Sequence, residues 1–231
     1  PDPVIQQVEH FGEPSTTVND AFRPVVRFWD RITHPAQILS ALPQALATML
    51  DPADCGPAFI GLPQDVAADA YDYPVKFFET TVHEIVRARP DRNQVLRAVT
   101  LLRNAKRPVI IAGGGVHYSR AEKELDQFAM RFGIPVVETV AGKSSLVATH
   151  PRYSGPLGVT GTAEANEVVA NADVIIALGT RLEDFTTGSW TLFDSTAQVI
   201  GINAARFDAV KHRSVPVIGD ALEVLTHLSE S

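Results

Sequence analysis

The sequence predicts an α/β protein built on a doubly wound parallel sheet, preceded by part of another α/β domain. Short apolar runs of strand length alternate with segments of helical periodicity from about residue 93 onward. The strand-like run 108–112 enters a turn of three glycines and is followed by a helical pattern and a second strand, which makes a β-turn-α-β unit. Residues 35–62 add one helix and one strand, too few to form a domain alone.

The first part of the chain is predicted to be the end of one domain, residues 1–70. Residues 1–31 contain four prolines and lack sustained periodicity, so we expect mainly loop. Apolar side chains recur at steps of three and four over residues 35–50, which indicates an amphipathic helix. Residues 58–62 are a short buried strand. Residues 71–92 mix aromatic, charged and proline residues without a period and are predicted to be an interdomain linker.

Residues 93–231 are predicted to form a complete central domain. The predicted strands are 108–112, 134–137, 174–178, 198–202 and 216–218. The predicted helices are 93–105, 118–132, 162–171 and 221–228. Thr162 and Asp220 are the expected N-caps of the last two helices. A small-residue turn is predicted at 141–149 and a glycine-rich connector at 155–161.

Composition excludes several classes of protein. A chain of 231 residues with 45% hydrophobic residues can bury a core. The net charge of -7 and the absence of a Lys/Arg run argue against nucleic acid as a partner. Apolar runs of strand length predict no membrane segment. The single cysteine, Cys55, excludes an internal disulfide and fits a reducing compartment, so we expect a cytoplasmic protein. The opening Pro1-Asp2-Pro3 carries no secretory signal pattern and suggests an excerpt.

The glycine turn is the main candidate for binding a ligand. Gly113, Gly114 and Gly115 place bare backbone N–H groups where a phosphate could bind at a helix N-terminus. Tyr118 occupies the last position of the Gly-x-Gly-x-x-Gly pattern, and Glu138 falls where a ribose-binding acid could lie. A nucleotide site and a turn required only by packing are both compatible with this pattern.

Other candidate sites are weaker. Gly142-Lys143-Ser144 resembles the end of a P-loop, but Val137 stands where the first glycine is required, so a P-loop is rejected. No two histidines are spaced three or four residues apart on a helix, so no metal site is predicted. Cys55 has no activating histidine nearby in the sequence and is predicted to be a turn residue. The acidic pair Glu183-Asp184 is expected to be solvated.

Two segments carry a family resemblance, Gly155-Pro-Leu-Gly-Val-Thr-Gly-Thr-Ala-Glu-Ala-Asn166 and Ala172-Asp-Val-Ile-Ile-Ala-Leu-Gly-Thr-Arg-Leu-Glu-Asp184. Both resemble the central domain of thiamine-diphosphate enzymes related to acetolactate synthase. Gly56-Pro-Ala-Phe-Ile-Gly-Leu-Pro-Gln-Asp-Val66 is similar to the last strand of the pyrimidine-binding domain that precedes it in those enzymes. The resemblance implies the end of a pyrimidine-binding domain followed by a Rossmann-like central domain.

Further segments resemble one branch of this family, the trihydroxycyclohexanedione hydrolases of inositol catabolism. They are residues 16–22, 29–32, 63–66 and 70–74, and above all Asp184-Phe-Thr-Thr-Gly188. The resemblance implies a small cyclic polyol diketone as substrate, whose ring is opened by C–C bond cleavage to an open-chain deoxy-uronic acid. An acetolactate synthase-like carboligase and a stand-alone FAD-, ADP- or NAD-binding module remain alternatives.

The family resemblance also implies groups that this sequence does not contain. Family members use a glutamate early in the pyrimidine-binding domain and a Gly-Asp-Gly to Asn motif that holds diphosphate and Mg²⁺ in a third domain. The glutamate would precede Pro1 and the motif would follow Ser231, so no catalytic residue and no metal ligand is assigned here, and the chain alone is predicted to be inactive. The full-length enzyme is expected to use thiamine diphosphate and Mg²⁺ and to form a homodimer or homotetramer.

Some family members also bind FAD or ADP in the central domain. Here Asn203 and Ala205 stand where those relatives have acids, so a ribose hydroxyl lacks its carboxylate acceptor and a scaffold without nucleotide is the alternative. The residues expected to contact a nucleotide are Gly113, Gly114, Gly115, Thr160, Gly161, Thr180 and Arg181.

Overall fold

The structure is a computed structural model that describes residues 12–13 and 16–231, and it divides into two compact units, Pro1–Ile85 and Val86–Ser231. The predicted linker, residues 71–92, spans this division. The loop predicted for residues 1–11, 14 and 15 lies outside the described residues. Within the described residues, no helix is both long and apolar enough to cross a membrane.

The first unit is built around two parallel strands. Strand β1 (Phe28–Arg31) pairs in register with β2 (Ala58–Gly61), so that Trp29 lies opposite Phe59 and Arg31 opposite Gly61. Two α-helices follow these strands, α1 (Ile38–Leu50) and α2 (Gln64–Ala68), and short 3-10 helices occupy Val18–Val25, Pro35–Gln37 and Val75–Phe78. The helix predicted over residues 35–50 is present, with its first turn in 3-10 form.

The prediction of mainly loop up to residue 31 is wrong for the described part of that range. Val18–Val25 is a 3-10 helix in which Thr17 and Asp20 form a reciprocal capping box, and Phe28–Arg31 is a strand. The strand has no alternation of polar and apolar residues because both of its faces are half-buried. Helix α1 covers one face, where Ile32, Ala41 and Val66 form a small core. Aromatic rings cover the other.

The second unit contains a six-stranded parallel sheet. Its strands are β3 (Pro108–Ala112), β4 (Val136–Glu138), β5 (Tyr153–Pro156), β6 (Val174–Leu178), β7 (Gln198–Asn203) and β8 (Val215–Ile218). They lie in the order β5-β4-β3-β6-β7-β8, which is the 3-2-1-4-5-6 order of dinucleotide-binding folds. Its helices are α3 (Arg92–Asn104), α4 (Gly115–Ser119), α5 (Glu122–Phe132), α6 (Ala163–Ala170), α7 (Asp184–Thr187), α8 (Arg206–Ala209) and α9 (Ala221–Glu230).

The predicted doubly wound architecture is confirmed, because helices pack on both faces of this sheet. One face carries α3, α4, α5 and α9 over side chains that include Ile110, Ile176 and Ile200. The other face carries α6 and the segment after β6 over Val109, Ile111 and Ile175. The alternation of buried residues along each strand therefore supplies two hydrophobic cores.

Two elements of the second unit differ from the prediction. Strand β5 takes up the first two residues of the connector predicted over residues 155–161. Its Tyr-Ser-Gly-Pro sequence has little strand propensity, but the strand lies at the sheet edge, where proline is tolerated. The single helix predicted over residues 118–132 begins earlier and is broken at Arg120, which has a φ of 55°. Thr162 and Asp220 are N-caps as predicted: their side chains accept hydrogen bonds from the Ala165 and Leu222 N–H groups.

Candidate functional site

The candidate site lies at the carboxyl ends of β3 and β6, where the order of the sheet reverses. Strands β4 and β5 extend the sheet on one side of β3, and β6, β7 and β8 extend it on the other. In open parallel sheets, ligands bind in the crevice outside the strand ends at this point. Residues 113–115 follow β3, and Thr180 and Arg181 follow β6, so the fold brings these two predicted groups together.

The glycine turn packs directly against the turn after β6. The Gly113 N–H donates to the Leu178 carbonyl and the Gly115 N–H to the Gly179 carbonyl, both at 2.9 Å. A Cβ on Gly113 would lie 2.6 Å from the Thr180 Cβ, and a Cβ on Gly115 would lie 2.6 Å from the Gly179 Cα. The close approach of two backbones therefore accounts for glycine at both positions, and both N–H groups already have protein acceptors.

The loop after β4 closes over the same crevice. A Cβ on Gly142 would lie 3.0 Å from the Gly113 Cα, so this loop also touches the glycine turn. The buried Glu138 carboxylate accepts hydrogen bonds from the Ser144 N–H at 3.1 Å and the Leu146 N–H at 3.0 Å. Glu138, considered in the sequence as a ribose-binding acid, is turned into the protein and organises this loop.

His117 joins helix α4 to the loop after β4. Its Nδ1 lies 2.8 Å from a Glu122 carboxylate oxygen, and its Nε2 lies 2.9 Å from the Lys143 carbonyl oxygen. Both neighbours are acceptors, so the ring satisfies both only when it carries two protons. The hydrogen bond to Glu122, reinforced by the one to Lys143, raises the pKa of His117 above its ordinary value despite partial burial.

Thr160 and Gly161 lie in the connector after β5, against the segment after β6. The Val159 N–H donates to the Phe185 carbonyl at 2.8 Å, and the Asn166 side chain bonds both the N–H and the carbonyl of Gly158. A Cβ on Gly161 would lie 2.6 Å from the carbonyl carbon of Leu157, so this glycine also allows a close backbone approach. Thr160 is exposed.

Arg181 is exposed and lies among acidic side chains. Its guanidinium is 3.8 Å from Glu183 and 3.7 Å from Asp208. Asn203, which stands where nucleotide-binding relatives are expected to have an acid, donates from its amide to the Thr180 carbonyl at 3.3 Å and accepts from the Ala205 N–H at 3.0 Å. Its side chain therefore links two turns at this edge, and we find no carboxylate at that position to accept from a ribose.

Exposed apolar side chains to which the sequence reasoning gave no binding role lie near the same edge. They follow five successive strands, and each is between 66% and 87% exposed. They are Tyr118, Val140, Val159, Phe185 and Phe207. Their signal in the sequence is a bulky apolar residue in the loop or short helix that follows a strand.

The described residues contain no group of three or more His, Cys, Asp and Glu side chains arranged to hold a metal ion. Cys55 is exposed and follows a turn, in the first unit.

A sequence model described as the central domain of thiamine pyrophosphate enzymes matches residues 95–228. The chain belongs to the thiamine pyrophosphate enzymes. The match includes all the predicted contact residues of the candidate site, from Gly113 to Arg181. Thiamine pyrophosphate is another name for thiamine diphosphate, so the family resemblance found in the sequence is confirmed.

Curated relatives of this thiamine pyrophosphate enzyme chain extend the similarity to both units. The 3D-(3,5/4)-trihydroxycyclohexane-1,2-dione hydrolase of Geobacillus thermodenitrificans (strain NG80-2) is 45% identical over 231 residues, which are 100% of this chain and 36% of that protein. The protein of the same name from Lacticaseibacillus casei is 43% identical, over 100% of this chain and 36% of its own length. The chain thus spans little more than a third of these relatives.

A solved structure shows the same fold. The X-ray structure of a proposed thiamin diphosphate-dependent enzyme from Mycobacterium smegmatis matches with a TM-score of 0.71 over 90% of this chain and 40% of that chain, at 24% identity. The assignment of Gly113, Gly114, Gly115, Thr160, Gly161, Thr180 and Arg181 as nucleotide contacts stays a prediction.

Proposed function

We propose that this chain is part of a thiamine-diphosphate-dependent hydrolase that opens the ring of trihydroxycyclohexane-1,2-dione by C–C cleavage in inositol catabolism. The observation that carries the proposal is 45% identity over the whole chain to a relative of that name. The identity covers both units, whereas the general family match covers residues 95–228. A shared central domain alone would not require similarity in the first unit.

The segment Asp184–Thr187, with Gly188, has a defined structural part in this proposal. Thr187 is fully buried, and its hydroxyl donates to the Glu183 carbonyl and accepts from the Trp190 N–H at 3.1 Å. Gly188 ends the turn with a φ of 54°. These contacts hold Phe185 outward at the sheet edge, beside the connector that contains Thr160. We propose that this surface borders the ligand crevice of the central domain.

The chain's own residues supply the scaffold of this reaction. Thiamine diphosphate supplies the nucleophilic carbon and the electron sink for breaking a C–C bond beside a carbonyl. We propose that residues 1–70 are the end of a pyrimidine-binding domain, residues 71–92 a linker and residues 93–231 the central domain. Mg²⁺, assembly into dimers or tetramers and a cytoplasmic location belong to the same proposal for the longer enzyme.

The proposal can be tested by exchange of segments. The 231 residues of the Geobacillus hydrolase that align with this chain are replaced by this chain, and the chimera is assayed for ring opening of the diketone and for acetolactate formation from pyruvate. The chain on its own is predicted to catalyse neither reaction. Thermal stabilisation of the chimera by thiamine diphosphate and Mg²⁺ provides the control for correct assembly.

A further inference from the structure

The second unit contains a cavity of about 210 Å³ on the sheet face that also carries α6. Its floor includes Ile175 and Val199, the second residues of β6 and β7, which lie opposite each other in register. Residues 188–197, which form no helix or strand, cover this part of the sheet. The cavity is therefore near the amino ends of these strands, whereas the candidate site described above is at carboxyl ends.

Three aromatic side chains line this cavity, and they pack against one another. Trp190 meets Phe193 edge to face, with ring centroids 5.1 Å apart and planes at 88°. The His212 ring contacts the same indole, with centroids 3.7 Å apart. Burial, and to a smaller extent the Lys211 charge, lowers the pKa of His212 below its ordinary value, so the imidazole is neutral at about pH 7. The wall of the cavity is therefore aromatic and uncharged.

Two segments that line the cavity are held in the left-handed backbone conformation, which bulky residues rarely adopt. The φ angle is 52° at Ser189 and 67° at Trp190. It is 57° at His212 and 56° at Arg213. These are four of the seven non-glycine residues with positive φ in the described part of the chain, so backbone strain is concentrated at this cavity. Such strain is characteristic of segments that bind ligands or switch conformation.

The rim of the cavity carries a hydrogen-bond acceptor. Asp194 lines the cavity beside Ser195, and its Oδ1 accepts from the Thr196 N–H at 2.7 Å. The hydrogen bonds from Thr196 lower the pKa of Asp194, so this carboxylate is ionised at neutral pH. Both of them reach Oδ1, and no donor among the described residues bonds to Oδ2. Oδ2 can therefore accept a hydrogen bond from a molecule that enters the cavity.

We propose that this cavity binds a small uncharged aromatic ring that carries a hydroxyl or N–H donor. The cavity is larger than the one of about 150 Å³ that holds benzene in an engineered protein, so a substituted six-membered ring fits. The apolar floor and the aromatic wall would contact the ring, and Asp194 would accept from its donor. Binding would also stabilise the strained segments in their folded arrangement. The inference does not depend on the hydrolase function proposed above.

The test is titration of the 231-residue chain with phenol, followed through the indole N–H resonance of Trp190 in NMR spectra of the labelled protein. The sequence has two tryptophans, so a Trp29→Phe variant leaves Trp190 as the single indole reporter. Saturable shifts with a dissociation constant of about 1 mM or lower are expected. Cyclohexanol keeps the ring size and the hydroxyl but is not aromatic, and benzoate is an anion. Each should bind about threefold more weakly than phenol, or weaker still.

Variants of the wall locate the binding event. His212→Asn removes one ring but keeps a residue that tolerates the left-handed backbone, and it is expected to weaken phenol binding about three- to tenfold. Phe193→Leu is expected to weaken binding by a similar factor. Phe78→Leu removes an exposed ring from the first unit, so it is the matched control and should bind phenol as the parent does.

The site would be overturned by absence of saturable shifts with phenol or by equal affinity for cyclohexanol or benzoate. Unchanged affinity in His212→Asn, or an equal loss in Phe78→Leu, would do the same. The dispersion of the amide resonances shows whether each variant is folded. If His212→Asn does not fold, the comparison of Phe193→Leu with Phe78→Leu decides the test.

Discussion

The glycines in the turn at residues 113–115 differ in how much room each leaves for an added Cβ. A Cβ on Gly115 would meet the Gly179 Cα at 2.6 Å, whereas the nearest atom to a Cβ on Gly114 is the Ala141 Cβ at 3.2 Å. A backbone cannot move aside as a side chain can, so the cost of overpacking differs between neighbouring positions.

We therefore predict that Gly115→Ala lowers the free energy of unfolding by about 2 kcal/mol and that Gly114→Ala lowers it by less than about 1 kcal/mol. Urea denaturation of both variants measures the difference. Unchanged stability in Gly115→Ala would mean that packing is not the reason for glycine there and would favour a ligand.

His117 should make the stability of the loop after β4 depend on pH. The Glu122 carboxylate and the Lys143 carbonyl face its two ring nitrogens, and its pKa is raised in the folded protein. A raised pKa means that the stabilisation is complete below the unfolded value, about 6.5, and is lost as pH rises through the folded value.

We predict that the melting temperature of the parent exceeds that of His117→Gln at about pH 6 and that the difference shrinks toward about pH 8.5. Amide exchange at Ser144 should accelerate over the same range. His83→Gln, an exposed histidine, is the control and should leave the pH dependence as it is. A difference that grows with pH would show that the neutral ring is the stabilising form.

Asp220 caps helix α9 and also accepts hydrogen bonds from side chains outside that helix. The Asp220 carboxylate accepts from the Leu222 N–H at 3.1 Å, the Ser119 hydroxyl at 2.8 Å and Arg87 at 3.0 Å, and its side chain is 8% exposed. Asp91 caps α3 through hydrogen bonds from Asn93 and Gln94 but is exposed. The two caps differ in burial and in charge pairing.

Asp220→Ala is predicted to cost about 3 kcal/mol of unfolding free energy, because it leaves Arg87 and Ser119 without their partner. Asp91→Ala, the matched cap, should cost about 1 kcal/mol. Chemical denaturation measures the unfolding free energy of the two variants. Equal losses would show that the contacts of Asp220 with Arg87 and Ser119 add nothing to the stability that the cap provides.

The elements that the sequence predicted well are those with strong local patterns. Strands β3 and β6 were predicted to the residue because each is a five-residue apolar run buried on both faces. Strand β5 was missed because its residues take strand form only by pairing with β4, which is a tertiary effect. The break at Arg120 was missed because one left-handed residue leaves the helical spacing of apolar side chains intact.

The sequence predicted which strand ends form the candidate site, but it did not predict which side chains there already have hydrogen-bond partners. Glycines after β3 and residues after β6 could be placed at one edge because parallel strands align their carboxyl ends. That Asn203 and Glu138 have partners inside the protein depends on loop conformations that no spacing rule gives.

The two units differ greatly in the size of their buried cores. The core of the first unit rests on Ile32, Ala41 and Val66, whereas the second buries residues on both faces of six strands. Residues 79–91, which include the boundary between the units, have no regular secondary structure, and Val82 and Val86 are 83% and 75% exposed.

Limited proteolysis should therefore cut first within residues 79–86 and leave the second unit intact, since exposed irregular backbone without hydrogen bonds to the folded units is cleaved most readily. Mass spectrometry of the resistant fragment identifies its ends. The fragment should also keep a cooperative thermal transition. Early cleavage inside the six-stranded sheet would contradict the division into two units.

We propose that this chain comes from a ring-opening hydrolase of the thiamine pyrophosphate enzymes. The most direct measurement is the activity of the chimera in which this chain replaces the aligned 231 residues of the Geobacillus hydrolase. We predict that the chimera opens trihydroxycyclohexane-1,2-dione within about tenfold of the parent kcat/KM, a difference of about 1.4 kcal/mol in activation free energy, and forms no acetolactate from pyruvate. A chimera that is stabilised by thiamine diphosphate but forms acetolactate and leaves the diketone intact would show that this chain comes from a carboligase instead.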